Sequence, residues 1–277
     1  MDSNMRDKIT FILNSFNDRG VLSTLLSSKD YLWEYHILRR VQDKHHQIKY
    51  DVAAPKPDQL LLVNLNNINY KIRPNFYSKL SPYRTYILAG EWDKKSTDNE
   101  HVLEELDQYW RYHSLKNHFE DGVPWEDTEI YEKMLEVSRW KGSKKQVQGR
   151  LCYLDKLYNS MKEKGYKTQR ELLMEDENVP KKVRYPQPEY HEVAINIGRN
   201  GELILDEGRH RVSIAKILGI EKIPVRVLVR HKKWQETKYN VYTQMHSSPK
   251  SLKERYKNHP DINLNRTHDR DLRKDSS

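Results

Sequence analysis

The stretch Glu192–His231, EVAINIGRNGELILDEGRHRVSIAKILGIEKIPVRVLVRH, constrains the fold more than any other part of the chain. Val193, Ile195 and Ile197 alternate with Ala194, Asn196 and Gly198, a period of two that specifies a strand. RNG then supplies a turn in which Gly201 is free to take positive φ, and Leu203 and Leu205 lead the chain back as a hairpin. HRVSIAKILG reads as a short helix with Val212, Ala215 and Leu218 inward and Gly219 as a left-handed cap. IPVRVLVRH closes the unit as a second alternating run through Val225, Val227 and Val229. Hairpin, loop, helix and strand in that order commit this part of the chain to an α+β class.

The remainder is mostly helical in pattern. Ile9, Ile12, Leu13 and Phe16 share one face and Leu32, Tyr35, Leu38 and Val41 another, which makes residues 1–52 a helical N-terminal region. After AAPKPDQ, the run LLLVNLNNINYKI predicts a strand, a turn and more extended chain, and RTYILAGEWDKK a further strand turning at Gly90. Val102 to Val137 reads as helix broken at EDGVPWED, and a longer amphipathic helix through Leu151, Leu154, Leu157, Tyr158 and Met161 stops at Gly165. Residues 247–277 are expected to be a disordered polar tail.

Composition bounds the partners. Of 277 residues 32% are charged, and the formal net charge of +9 favours polyanions such as nucleotides, DNA or RNA. The single cysteine, Cys152, excludes an intramolecular disulfide and a cysteine-based zinc knuckle. No apolar run approaches the roughly 20 residues that span a bilayer, and MDSNMRDK lacks a signal-peptide core, so a cytoplasmic protein without membrane insertion is expected. No Walker loop, Gly-x-Ser-x-Gly or Cys-His pair is present, and His45 with His46, and His113 with His118, lack the spacing that shares a metal on a helix face.

The chemistry concentrates in Asp206, Glu207, Gly208, Arg209, His210 and Arg211, where an apolar strand meets a helix start. Gly208 lets the backbone turn tightly, the helix amino end offers N–H donors and partial positive charge, and Arg209, His210 and Arg211 add side-chain donors. The parts make an anion site with phosphate as the natural guest, and His210 can donate a hydrogen bond or carry a proton near neutral pH. The plain structural alternative is that Asp206 caps the helix while the arginines pair with Asp206 and Glu207.

DEGRHRVSIAKILGIEKIPVRVLV resembles the signature of the ParB/sulfiredoxin superfamily over about residues 190–232. The resemblance implies a domain over residues 58–235 with a helical insertion over about 97–180: a small mixed β-sheet wrapped by helices, with a nucleotide phosphate site at this loop, ATP or CTP as ligand, and Mg²⁺ with it. Arg209 stands where sulfiredoxins carry their cysteine, which argues against that repair activity. Ser213 stands where the chromosome-partition proteins carry a further arginine. The loop is similar to the Asp-Gly-His-His-Arg pattern of the family's free-serine kinases, which implies phosphoryl transfer or nucleotide hydrolysis. On that reading His210, Glu91 and Asp93 of GEWD are the candidate catalytic groups, and Asp206 and Glu207 the acids that orient the loop or meet Mg²⁺.

A second reading comes from RWKGSKKQVQGR, which carries Lys141, Lys144, Lys145 and Arg150 without an acid. Such a run is a solvated helix edge or a phosphate-backbone contact of a nucleic-acid-binding protein, with nuclease activity as one outcome.

Overall fold

A computed structural model describes residues 32–73, 75–94, 102–136, 143–175, 188–243 and 250–262. Arg39–Tyr50 forms α1, entered through a π-helical stretch Leu32–Leu38. Then come β1 (Leu60–Asn64), β2 (Ile68–Arg73), β3 (Tyr86–Leu88) and β4 (Val102–Glu105). Four helices follow: α2 (Trp110–Phe119), α3 (Glu129–Glu136), α4 (Lys144–Lys164) and α5 (Gln169–Glu175). The signature stretch is β5 (Val193–Ile197), β6 (Leu203–Glu207), α6 (Arg209–Ile217) and β7 (Lys222–His231), with α7 (Lys232–Thr243) and α8 (Lys250–Tyr256) beyond it.

The seven strands make one mixed sheet in the order β1-β7-β5-β6-β2-β4, with β3 also on β7, so the α+β class with a mixed sheet holds. β5 and β6 pair antiparallel, Ile197 opposite Leu203, as the hairpin pattern requires. β7 runs parallel to β5 and pairs antiparallel with β1 through Ile223 and Val225 and parallel with β3 through Val229. β2 lies parallel to β6 and carries β4 on its outer edge.

Both faces of the sheet are covered. Val193, Ile195, Leu203, Leu205, Val225 and Val227 pack with Val212 and Ala215 of α6 and with Leu115, Leu151 and Leu154 in one large core. Ile204, Leu228, Val229, Ile72, Tyr86 and Trp92 form a smaller core on the other face. The alternation in β5, and in β7 as far as Val227, therefore separates two interiors rather than an interior from water; an irregularity at Leu228 then puts Val229 beside it in the smaller core instead of on the face of Val225 and Val227. Asn196, Arg226 and Arg230 are buried, and each is answered by a polar partner. Asn196 Oδ1 accepts from Val229 N at 3.2 Å, and Arg226 donates to the carbonyls of Tyr190 (3.3 Å) and Arg84 (3.2 Å).

Three expectations change. Val102–Glu105 is a strand, paired with β2 from Tyr70–Glu105 to Arg73–Val102, so the insertion is not purely helical. Leu103 and Leu106 stand three apart in a helical-looking spacing, but the open edge of β2 takes the segment as a fourth strand. Val41 is 64% exposed rather than on the shared face with Leu32, Tyr35 and Leu38, because the wider π turn before Arg39 shifts the helical phase. The segment 250–262 is placed rather than disordered, with Asp261 and Ile262 buried. The N-terminal face of Ile9, Ile12, Leu13 and Phe16 and the rest of the tail lie outside the described residues.

Candidate functional site

Gly208 sits at φ +92°, a left-handed conformation, and a Cβ there would stand 2.8 Å from Val193 Cγ2 and 3.0 Å from its Cα. Only glycine fits, and it turns the chain from β6 directly into α6. The first N–H groups of α6 have no acceptor within the helix, so this end carries the donors and partial charge that draw anions.

A cleft of about 280 Å³ opens at this point, lined by Glu207, Gly208, Arg209, His210 and Arg211 from the loop and by Arg150, Tyr153, Tyr166 and Lys167 from α4 and the chain after it. Arg150 is thus brought to the loop from the basic run. It lies on α4 beside the buried stripe Val147, Leu151 and Leu154, and Arg150, Tyr153, Leu157 and Ser160 follow one another at helical spacing along the cleft wall. That second, polar helical stripe was the sequence signal for a site.

His210 is the centre of the arrangement. Arg150 Nη2 approaches His210 Nδ1 at 3.5 Å. A guanidinium only donates, so Nδ1 accepts and the ring proton sits on Nε2. That Nε2 is buried and has no hydrogen-bond partner among the described residues. Burial, then the charges of Arg150, Arg111, Arg209 and Arg211, push the imidazole down to about 3, so it is a neutral donor at pH 7 rather than a proton carrier.

The two flanking arginines divide their work. Arg211 Nη2 donates to the His191 carbonyl at 2.6 Å and Nη1 reaches Glu192 Oε2 at 3.5 Å, which pins the loop to the segment before β5. Arg209 Nη1 donates to the Tyr109 hydroxyl at 3.4 Å, with Glu207 Oε2 3.8 Å from its Nη2.

The two acids part company for a simple reason. Successive strand residues face opposite ways, so Glu207 lines the cleft and Asp206 enters the opposite core. There Asp206 Oδ2 accepts from Asn196 Nδ2 at 2.6 Å and from Phe76 N at 2.9 Å, and it does not cap α6. Glu207 accepts from Asn75 Nδ2 at 2.8 Å. One cleft carboxylate can complement a Mg²⁺ that phosphates already hold, but it cannot hold the ion alone. Among the described residues no three histidine, cysteine or carboxylate side chains converge as a metal site requires.

Glu91 and Asp93 do not reach the loop. Arg199, in the turn between β5 and β6, clamps them: its backbone N and Nη2 each donate to Asp93 at 2.6 Å, and its Nη1 to Glu91 at 3.3 Å. Ala194 pairs with Glu207 at one end of the hairpin and Arg199 lies beyond Ile197 at the other. The five residue steps from Ala194 to Arg199 span roughly 16 Å. The guanidinium holds the Asp93 carboxyl below its usual range against the effect of burial, as expected of a structural ion pair.

Lys144 and Lys145 are exposed in the first turn of α4, whereas Lys141 lies outside the described residues. Cys152 is exposed on α4 and does not line the cleft. Comparison with protein-family models, with curated proteins and with solved structures finds no match to the chain. Among the described residues no helix is long and apolar enough to cross a membrane.

Proposed function

We propose that the cleft at the start of α6 binds the phosphates of a nucleotide, ATP or CTP, as the resemblance to the ParB/sulfiredoxin superfamily implies. The observation that carries the proposal is one cleft ringed by Arg150, Arg209, Arg211 and Lys167, with His210 in its lining and its buried Nε2 without a hydrogen-bond partner among the described residues. A buried donor without an acceptor costs about 1–3 kcal/mol, and an oxyanion supplies the missing acceptor. Gly208 contributes the close backbone approach and the helix end the field.

The proposal is one of binding. The acids named as catalytic partners, Glu91 and Asp93, belong to a separate ion pair, which leaves phosphoryl transfer without the base assigned to it. Mg²⁺ enters with the phosphates, and Glu207 is its contact at the rim.

Thermal unfolding of the full chain with ATP, ADP, CTP or GTP and Mg²⁺ tests this. A ligand at a hundredfold excess over Kd adds about 2.7 kcal/mol of stability, visible as a rise in Tm. The rise is expected with one nucleotide above the others and is expected to vanish in His210→Ala and Arg150→Gln. An equal rise in wild type and both variants would refute the site. The exposed Lys144 and Lys145 support a second reading, contact with a nucleic-acid backbone, which predicts steeply salt-dependent DNA or RNA binding lost on their neutralisation.

A further inference from the structure

A second cleft, of about 300 Å³, lies on the other side of Arg209 and is lined by Lys71, Arg73, Asn75, Tyr109 and Arg111 with Arg209 itself. Lys71 and Arg73 share a face because they are two apart on β2, and Arg111 enters from the first turn of α2. None of these residues except Arg209 lines the first cleft.

The charges here do not balance. Four cations face two carboxylates: Glu104, which serves both Arg73 at 2.8 Å and Lys71 at 3.6 Å, and Glu207, 3.8 Å from Arg209 and already bonded to Asn75. Lys71 is 4% exposed. Burial, then the charge of Arg73, pulls its ammonium down to about 8. Arg111 Nε is buried without a hydrogen-bond partner among the described residues. Its Nη1 donates to the Tyr109 hydroxyl, as does Arg209 at 3.4 Å. A phenol oxygen that accepts two guanidinium donors keeps its own O–H to give, so Tyr109 presents a donor among four cations.

We infer that this cleft is an anion subsite in its own right, shaped for a phosphate group, with Lys71, Arg73 and Arg111 as its specific cations and Tyr109 as a neutral donor. A phosphate dianion supplies the two missing negative charges. Because Arg209 borders both clefts, the group is either a free phosphate or a further phosphate of a ligand seated in the first.

Calorimetric titration of the full chain at low ionic strength with inorganic phosphate, pyrophosphate and tripolyphosphate tests the inference. Each lost charge-assisted hydrogen bond is expected to cost roughly tenfold in affinity. Arg73→Gln with Arg111→Gln is therefore expected to weaken one class of phosphate site about a hundredfold. Arg150→Gln with Lys167→Gln, which touches only the first cleft, is expected to leave that class intact. An isotherm of the Arg73/Arg111 variant that superimposes on wild type overturns the inference. If only the Arg150/Lys167 isotherm is unchanged, the first cleft fails and this one stands.

Binding of inorganic phosphate identifies a free-anion site. Binding restricted to the longer anions, and weakened by both variants, identifies two subsites of one ligand. Should the double variant not fold by circular dichroism, Arg73→Gln alone decides, since Arg73 is half exposed and a tenfold loss is expected of it. Lys71→Met gives an independent readout. Its Tm without phosphate is expected to rise, because a strained buried charge is gone, while the increment from added phosphate shrinks. A full increment with Lys71→Met contradicts the inference.

Discussion

Arg211 Nη1 lies 3.5 Å from Glu192 Oε2, and the carboxyl that neutralises it is buried. Burial pushes Glu192 up to about 7, so the charge available to the cleft from Arg211 changes near neutral pH. Protonation releases Arg211 from its counter-charge. Binding of sulfate, which does not titrate in this range, is expected to tighten as pH falls from 8 to 6, by up to about tenfold per unit of linked pKa. At the Arg211 cleft, Glu192→Gln should bind as tightly at pH 8 as wild type does at pH 6, without the Glu192-linked step. It should also be the more stable protein at pH 8, since a raised carboxyl costs folding stability above its folded value.

Acid has the opposite effect on the whole chain. His46 and His191 are pushed down to about 4 and His210 to about 3, each first by burial. Between those values and 6.5 the unfolded chain binds protons that the folded chain refuses, so stability falls as pH drops. These lowered histidines outweigh the opposing upward shifts of Glu192 and Asp43. Chemical denaturation from pH 7 to 4.5 should show a steadily falling midpoint, and His210→Gln should flatten part of the slope.

Gly208→Ala should cost about 1–3 kcal/mol, because alanine at φ +92° is strained and its Cβ meets Val193. The loss of anion response should exceed the loss of stability, since the same shift displaces the first turn of α6. Gly90→Ala has nothing within 4 Å of the added Cβ and pays only the strain of φ +104°, so it should leave anion binding unchanged.

Asp261 fastens the C-terminal segment. It accepts from Arg230 Nη2 at 2.6 Å, Arg230 Nε at 3.0 Å, Trp234 Nε1 at 3.0 Å and Lys238 Nζ at 3.1 Å. Asp261→Ala removes the carboxylate that the buried Arg230 and Lys238 share and should destabilise by about 3–5 kcal/mol. Truncation before residue 259 should cost as much, read from denaturant midpoints.

Tyr153 is 48% exposed at the cleft, with the Arg150 guanidinium 4.7 Å from its ring centroid. A ring so placed is a stacking surface for a base, a contact worth about 1–3 kcal/mol. Tyr153→Ala should weaken a nucleotide by that amount and leave tripolyphosphate unaffected.

Local chemistry determined the central unit of this protein. Period-two alternation, glycines at Gly201, Gly208 and Gly219 that all adopt positive φ, and helical spacing in 209–217 act between near neighbours, so hairpin, loop, helix and strand were legible from residues alone. The cluster of donors from Gly208 to Arg211, the centre of the candidate site, was legible for the same reason. Its composition was not. Arg150 and Tyr153 arrive across α4, Asp206 turns away with the strand pleat, and Glu91 and Asp93 are drawn to Arg199 at the far end of the hairpin. Val102–Glu105 became a strand because β2 had an open edge, and the Asp261 segment is held in place because its carboxylate meets the buried Arg230 and Lys238. Each of these outcomes depends on long-range pairing and on the cost of buried charge, which only the assembled sheet and its two cores impose.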